Sequence, residues 1–299
     1  MPKKFKIPTL IFLTACALAV FAMASRHGTL AILYPQGWVG LKERNLMITA
    51  TVLMLVIVAP VLGMIAYIPW KYRDGNTTEK YAPDWADNAV LESVWWGIPC
   101  LIIASLATIT WVSAHQLDPI KPLGSSVSPI TIQVVALQWK WLFIYPEQNI
   151  ATVNFFQFPE GTPVNFQLTS DAPMNSFWIP QLGGQIYAMS GMTTQLHLIA
   201  DKAGTYAGSS ANLSGKGFAG MKFAAKSSSR KDFDAWVALV RDSHAKLTTD
   251  EYAKLAAPSE DTPVAYYATT DQKLYTDTVM KFMIPPSKGT DMHGMQMSH

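Results

Sequence analysis

Residues 206–223, YAGSSANLSGKGFAGMKF, are where this chain comes nearest to the pattern of a metal site. They form a Gly/Ser-rich loop leading into a short apolar strand, near the end of a β-rich segment. In a small β-sandwich, a late loop of this kind is a place for copper ligands. Copper is held by thiolate, imidazole and thioether donors. The loop offers Ser210 and Ser214 at a spacing of four, Phe218 four further on, and Met221 three after that. It has neither Cys nor His. Hydroxyls and a single thioether do not make a copper centre.

Other chemistry is thinly supplied. The sequence has no Walker loop and no HExxH, and nothing local suggests a Ser–His–Asp set. Gly215-Lys216-Gly217 is too short for a phosphate loop. His197 sits in an alternating strand, QLHLIA, and reads as a surface or satisfied histidine, while His115 and His244 stand in or near polar segments. Glu92 precedes an apolar run. It reads as a helix N-terminal carboxylate favoured by the dipole, with a proton-path or subunit-contact role as the other reading. The tail, residues 287–299, ends in DMHGMQMSH. It reads as a disordered end, with weak copper binding by its Met and His side chains as the alternative.

The elements that position these residues divide in two. The chain has 299 residues, 49% hydrophobic and only 15% charged, which implies a membrane part joined to a soluble part. Lys3, Lys4 and Lys6 precede an apolar run to Ala24, so residues 1–24 read as a secretory signal region. Leu13-Thr14-Ala15-Cys16 within it matches a bacterial lipobox. Cleavage before Cys16 and lipidation of Cys16 are expected, an uncleaved anchor with a chance cysteine being the other reading. The second cysteine, Cys100, also lies in an apolar run, so no disulfide framework is expected.

Residues 25–45 read as a mixed linker, and residues 46–114 as a transmembrane helical hairpin. The uncharged runs at 46–70 and 93–112 are each long enough to cross ~30 Å of hydrocarbon at ~1.5 Å per residue. The basic flanks of the first run tie, and the signal's lysines decide the orientation: everything after about residue 115 lies outside.

From there the punctuation changes. Runs such as ITIQVVAL, WKWLFIY, ATVNFFQF and TPVNFQLTS, separated by Pro, Gly and Asp turns, predict an all-β sandwich over residues 125–227. Residues 228–286 then read as a helical extension. Ser229 to Asp232 resembles a capping box, Thr248 with Glu251 a second helix start, and residues 271–283 a third helix. Net charge is +2, and residues 115–299 hold fourteen Lys/Arg against fifteen Asp/Glu. Nothing here favours nucleic acid, and the near-neutral outer part lacks the acidic surplus that would steer a basic protein partner.

Three segments carry a family resemblance. ALQWKWLFIYPE (residues 136–147) resembles the aromatic segment of subunit II of haem-copper respiratory oxidases. MNSFWIP (residues 174–180) resembles that family's first copper-site segment, and the loop at 206–223 its second. The likeness covers nearly the whole chain and is greatest to the bo-type ubiquinol oxidase branch. It implies a cupredoxin sandwich on two transmembrane helices. It also implies subunit I as partner, bearing the haems and the remaining copper. The complex would oxidise ubiquinol, reduce oxygen to water and pump protons in a bacterial inner membrane.

The departures decide the role. The cytochrome c oxidase branch carries C-x-E-x-C-x-x-x-H-x-x-M, with another His about 35 residues earlier. Laid on this sequence, the early His falls on Asn175, the two Cys on Ser210 and Ser214, the carbonyl donor on Asn212, and the second His on Phe218. Only Met221 survives, and as a packing residue. The dinuclear copper centre is expected to be absent, with no metal, no catalytic residue and no cofactor in this chain, and no cytochrome c as partner. Trp139 and Trp141 then read as aromatic packing at the junction of sandwich and membrane rather than as an electron relay. The chain is expected to be structural. An electron-accepting subunit II of a cytochrome c oxidase and a membrane-anchored copper-binding module are the alternatives.

Overall fold

The computed structural model describes residues 19, 21–22, 30–76, 78 and 87–283. Cys16 and the Met/His tail lie outside the described residues. The chain forms two compact units, residues 42–118 and residues 1–41 with 119–299.

The first unit is helical. Helix α1 (Trp38–Lys71) and helix α2 (Ala89–Gln116) are both long and apolar enough to cross a membrane. Large apolar side chains such as Leu55, Ile65, Leu101 and Trp111 are exposed along them. A helix that is apolar all round is suited to lipid or to a protein interior rather than to water. Asn88 caps α2, its Oδ1 accepting from the Val90 and Leu91 N–H groups at 3.1 Å each, and Glu92 lies in the first turn. The carboxylate therefore sits where the helix dipole favours it. Residues 38–45 differ from the linker expected there, being already helical. Lys42, Glu43 and Arg44 end the apolar run, but they are strong helix formers and do not end the helix.

The second unit is a two-sheet sandwich. Its strands are β1 (Ile130–Leu137), β2 (Lys140–Tyr145), β3 (Ile150–Val153), β4 (Phe155–Pro159) and β5 (Val164–Ser170). They are followed by β6 (Asn175–Trp178), β7 (Ile186–Ala188), β8 (Thr194–Leu198), β9 (Gly204–Ser210) and β10 (Lys222–Ser228). After β10 come α3 (Arg230–Arg241), β11 (Lys246–Leu247), α4 (Thr249–Ala256), β12 (Ala265–Tyr267), β13 (Thr269–Thr270) and α5 (Leu274–Met280). One sheet has the order β12-β3-β2-β1-β5-β8, the other β4-β10-β9-β6-β7, and β11 pairs with β13.

ATVNFFQF, which reads as one run, is two strands in different sheets. Asn154 breaks it at φ 55° and holds the corner. Its Oδ1 accepts from the Trp141 N–H at 2.8 Å, and its Nδ2 donates to Thr262 O at 2.8 Å. Asn tolerates this left-handed conformation better than most residues, because its short polar side chain can bond locally.

The inner faces of the two sheets meet in an aromatic core. Phe177 stacks on Phe223 at 4.9 Å, and Trp141 meets both edge-on at 5.4 and 5.7 Å. The outer face of the larger sheet is covered as well. Val135, Leu137, Leu142 and Ile144 pack against Leu247, Tyr267, Leu274 and Tyr275 from the extension. A sheet buried on both faces needs continuous apolar strands, which is why β2 has no exposed position.

The extension is thus less helical than expected. It adds β12 to the larger sheet, contributes β11 and β13, and its last helix is shorter than the 271–283 expected. The two expected caps are present: Ser229 Oγ accepts from Asp232 N–H at 3.1 Å, and Thr248 Oγ1 from Glu251 N–H at 3.3 Å.

Candidate functional site

Sheet pairing, not sequence proximity, assembles the candidate site. Strand β6 runs antiparallel to β9, with Phe177 opposite Ser210. That brings Asn175 to Ser210 across 35 residues. Strand β10 begins directly after Met221, so residues 211–221 form a closed loop between two neighbouring strands. Two backbone bonds shut it: Ser210 N–H to Met221 O at 3.1 Å and Ala211 N–H to Ser176 O at 2.9 Å.

Within the loop, hydrogen bonds hold the residues at the copper-ligand positions of the resemblance. Ser210 Oγ donates to Asn175 Oδ1 at 3.0 Å, both side chains being buried. Asn175 Nδ2 donates to Pro173 O at 2.7 Å, and Asn212 Nδ2 to Met174 O at 3.0 Å. Met221 is fully buried. Asn175, Ser210, Asn212 and Met221 are therefore brought together. Ser214 and Phe218 share the loop but play other parts. The Ser214 carbonyl accepts from Trp139 Nε1 at 3.1 Å, and half-buried Phe218 opens a short 3-10 turn that ends at Gly220.

Trp139 and Trp141 separate. Trp141 is fully buried between the sheets, whereas Trp139 lies on the loop. A Cβ on Gly217 would stand 2.5 Å from the Trp139 ring, so only glycine admits the indole there. Gly215, at φ 116°, provides the turn beneath it. Within the sandwich unit the aromatic pair packs on the sandwich and its loop.

The donor set settles the fit to a dinuclear copper centre. Amide oxygen, hydroxyl and phenyl groups cannot replace bridging thiolates and imidazoles, and the remaining thioether cannot hold two ions. The site does not fit the metal. Among the described residues no cluster of three His, Cys, Asp or Glu side chains is placed to hold a metal ion. His197 is buried with Nδ1 3.0 Å from Pro119 O, a satisfied histidine.

Two polar anchors escaped the sequence reading. Lys140, in the middle of an aromatic strand, is almost wholly buried, and its Nζ donates to Leu255 O and Ala257 O at 2.7 Å each. Those carbonyls close the C-terminal end of α4, where a cation is favoured. Burial lowers the Lys140 pKa. Asp171 takes Lys281 Nζ at 2.7 Å and Tyr252 Oη at 2.9 Å, tying the extension to the turn before Asn175. Burial raises the Tyr252 pKa above the ordinary tyrosine range. A charged residue inside an apolar run was the available signal for Lys140. The Asp171 anchor had none, because its partners lie 81 and 110 residues away.

The fold and site together define a membrane-anchored, cupredoxin-type subunit II whose ligand loop holds no copper ligand set. Comparisons with known proteins narrow this. Residues 148–228 match the family described as the periplasmic domain of cytochrome c oxidase subunit II, and residues 241–286 the COX Aromatic Rich Motif. The cytochrome bo(3) ubiquinol oxidase subunit 2 of Pseudomonas aeruginosa is 53% identical, over 83% of this chain and 75% of that protein. The same subunit of Pseudomonas putida is 56% identical, over 81% and 77%. Ubiquinol oxidase subunit 2 of Acetobacter aceti is 48% identical, over 85% and 83%. The chain belongs to the ubiquinol oxidase subunit 2 family.

Proposed function

We propose that this chain is the non-catalytic structural subunit II of a proton-pumping terminal oxidase that oxidises ubiquinol and reduces oxygen to water. The observation that carries the reading is the Ser210–Asn175 hydrogen bond, which stands where copper ligands stand in the cytochrome c oxidase branch. A copper centre there would receive electrons from a protein donor. A hydrogen-bonded pair of uncharged side chains cannot, so electrons enter the complex elsewhere, from a quinol, and not from cytochrome c.

In this reading the haems, the remaining copper and the quinol site belong to subunit I. Helices α1 and α2 hold this chain against that subunit in the inner membrane, the sandwich lies on the periplasmic side, and lipidation at Cys16 adds a second anchor. In this reading the domains are a signal region at 1–24, a linker to residue 37, a hairpin over residues 38–116, the sandwich at 125–227 and its extension to 286. Asn175, Ser210, Asn212, Ser214, Phe218 and Met221 are the positions of a lost centre and bind no metal.

The test is oxygen uptake by the purified complex. Ubiquinol should support turnover and reduced cytochrome c should not. Turnover with cytochrome c, or two coppers held by the sandwich of this subunit, would overturn the reading.

A further inference from the structure

The C-terminal end of helix α1 carries a cluster that neither the sandwich nor its ligand loop uses. Tyr67, Trp70 and Tyr72 are exposed there, Lys71 is the last helical residue, and Arg73 lies exposed in the turn that follows. Lys71 Nζ stands 5.7 Å from the centre of the Tyr67 ring and 5.6 Å from that of Tyr72. Arg73 Cζ stands 5.5 Å from the Trp70 ring, and its Nη1 donates to Trp70 O at 3.0 Å. Each approach is within the ~6 Å at which a ring face attracts a cation. The turn is itself fastened. Asn76 Nδ2 donates to Lys71 O at 2.5 Å, Thr78 Oγ1 donates to Asn76 Oδ1 at 2.7 Å, and Gly75 takes φ 84° to reverse the chain.

A basic flank by itself sets topology and needs no built site. Here ring faces and a carbonyl orient the cations without neutralising them. Asp74 is the one carboxylate among residues 67–76, so this stretch keeps a net charge of +1. Arg73 presents a planar fork of N–H donors that matches phosphate oxygens, and Trp70 O takes Nη1 from it.

Depth points to the ligand. The uncharged run 46–70 has its middle at residue 58, so Lys71 stands about thirteen residues, or ~20 Å, along the axis from it. Half the hydrocarbon layer is ~15 Å and half the whole bilayer ~20–22 Å. The cations therefore reach the level of the headgroup phosphates, and the rings the interface beneath, where Tyr and Trp are favoured. With the sandwich outside, one crossing brings this end to the inner leaflet, whose anionic lipids attract Lys and Arg.

We propose that Lys71 and Arg73, with the rings of Tyr67, Trp70 and Tyr72, bind the phosphate of an anionic phospholipid in the inner leaflet. A zwitterionic lipid brings its own ammonium group to the same cations and is disfavoured. The site rests on the membrane placement of α1 in the reading above and not on the identity of the electron donor.

The test is native mass spectrometry of the purified complex, released from nanodiscs of phosphatidylcholine and phosphatidylglycerol in equal parts. Lipid sites elsewhere in the complex are common to all preparations and cancel. The unaltered chain should retain one phosphatidylglycerol that the Lys71→Gln, Arg73→Gln variant loses, with the preference over phosphatidylcholine falling about tenfold or more. Asp74→Asn, an exposed change that removes the opposing charge, should raise the preference about twofold or more. Lys222→Gln with Lys226→Gln makes the same change of net charge on exposed positions of β10 and should leave the preference as it was. Equal retention by the unaltered chain and the Lys71/Arg73 variant, the same loss in the β10 variant, or no gain with Asp74→Asn would overturn the proposal. So would release of the lipid by millimolar inorganic phosphate, which would assign the cations to a soluble anion. Ubiquinol turnover in the same samples reports assembly. Turnover with cytochrome c would fail the functional reading and leave the lipid count unchanged, so the two failures are distinguishable.

Discussion

Replacing Ser210 by alanine separates a structural loop from an electron-transfer site. The substitution removes the hydroxyl that donates to Asn175 Oδ1 at 3.0 Å. Asn175 is almost wholly buried, so its oxygen is left without that donor. A buried acceptor stripped of its partner costs about 1–3 kcal/mol. Asn175 Nδ2 keeps Pro173 O and the backbone bonds of the loop remain, which places the loss near the middle, at about 2 kcal/mol. In a unit of this size each kcal/mol lowers the unfolding midpoint by about 2–4 °C, so a fall of about 4–8 °C is expected. Differential scanning of the purified complex reads it. Turnover with ubiquinol should stay within about twofold, a barrier change below ~0.5 kcal/mol. The double variant with Asn175→Ala should lose less than the sum of the single variants, because both remove one shared bond. A loss of turnover beyond about tenfold in a complex that still contains this subunit would refute the reasoning, since a loop outside the electron path cannot produce it.

Lys140→Met keeps most of the side-chain volume but leaves Leu255 O without its donor, while water can reach Ala257. Relief from burying a charge offsets part of the cost. The net loss should be about 1–2 kcal/mol, seen as faster amide exchange across residues 249–283 with the sandwich strands still protected. Gly208→Ala would place a Cβ 2.1 Å from the Phe223 ring, in the stacked aromatic core. It should destabilise the sandwich by about 1–3 kcal/mol or more, measured by denaturant midpoint, and an unchanged midpoint would contradict the packing described. Alkaline pH should also unfold the unit. Burial raises the pKa values of Tyr145 and Tyr252, and raises that of Tyr275 to about 12. The folded state therefore holds protons that the unfolded chain releases above pH ~10. Stability fully present below that pH is lost as pH rises toward the folded values. Lys140, shifted down, opposes this below its ordinary pKa but is one group against three. Tyrosinate absorbance from the buried rings should appear together with loss of the β-sheet signal, not before it.

The sandwich was legible because its signals are local. Short β-branched and aromatic runs with Pro and Gly between them need no long-range information. The caps at Ser229 and Thr248 are likewise written within four residues. What was misread depended on partners far away in sequence. Residues 38–45 continue a helix that hydropathy alone would end at the charges. ATVNFFQF alternates too weakly to show that Asn154 turns the chain from one sheet into the other. β12 has three residues and becomes a strand because β3 offers it an edge, with Tyr267 opposite Ala151.

The candidate site divides along the same line. The loss of copper donors needs only the residue types at 175, 210, 214 and 218, and so it is visible in the sequence. What occupies their place is not, because Asn175 and Ser210 meet only through the pairing of β6 with β9. That pairing also explains how the donors can be lost without the loop. Its ends are closed by main-chain bonds at Ser210 and Ala211, and its floor is fixed by Trp139 over Gly217. None of these bonds requires a metal. A loop shaped by sheet register and one indole keeps its form when its ligands change. Sequence patterns for the fold and for the metal can therefore part company.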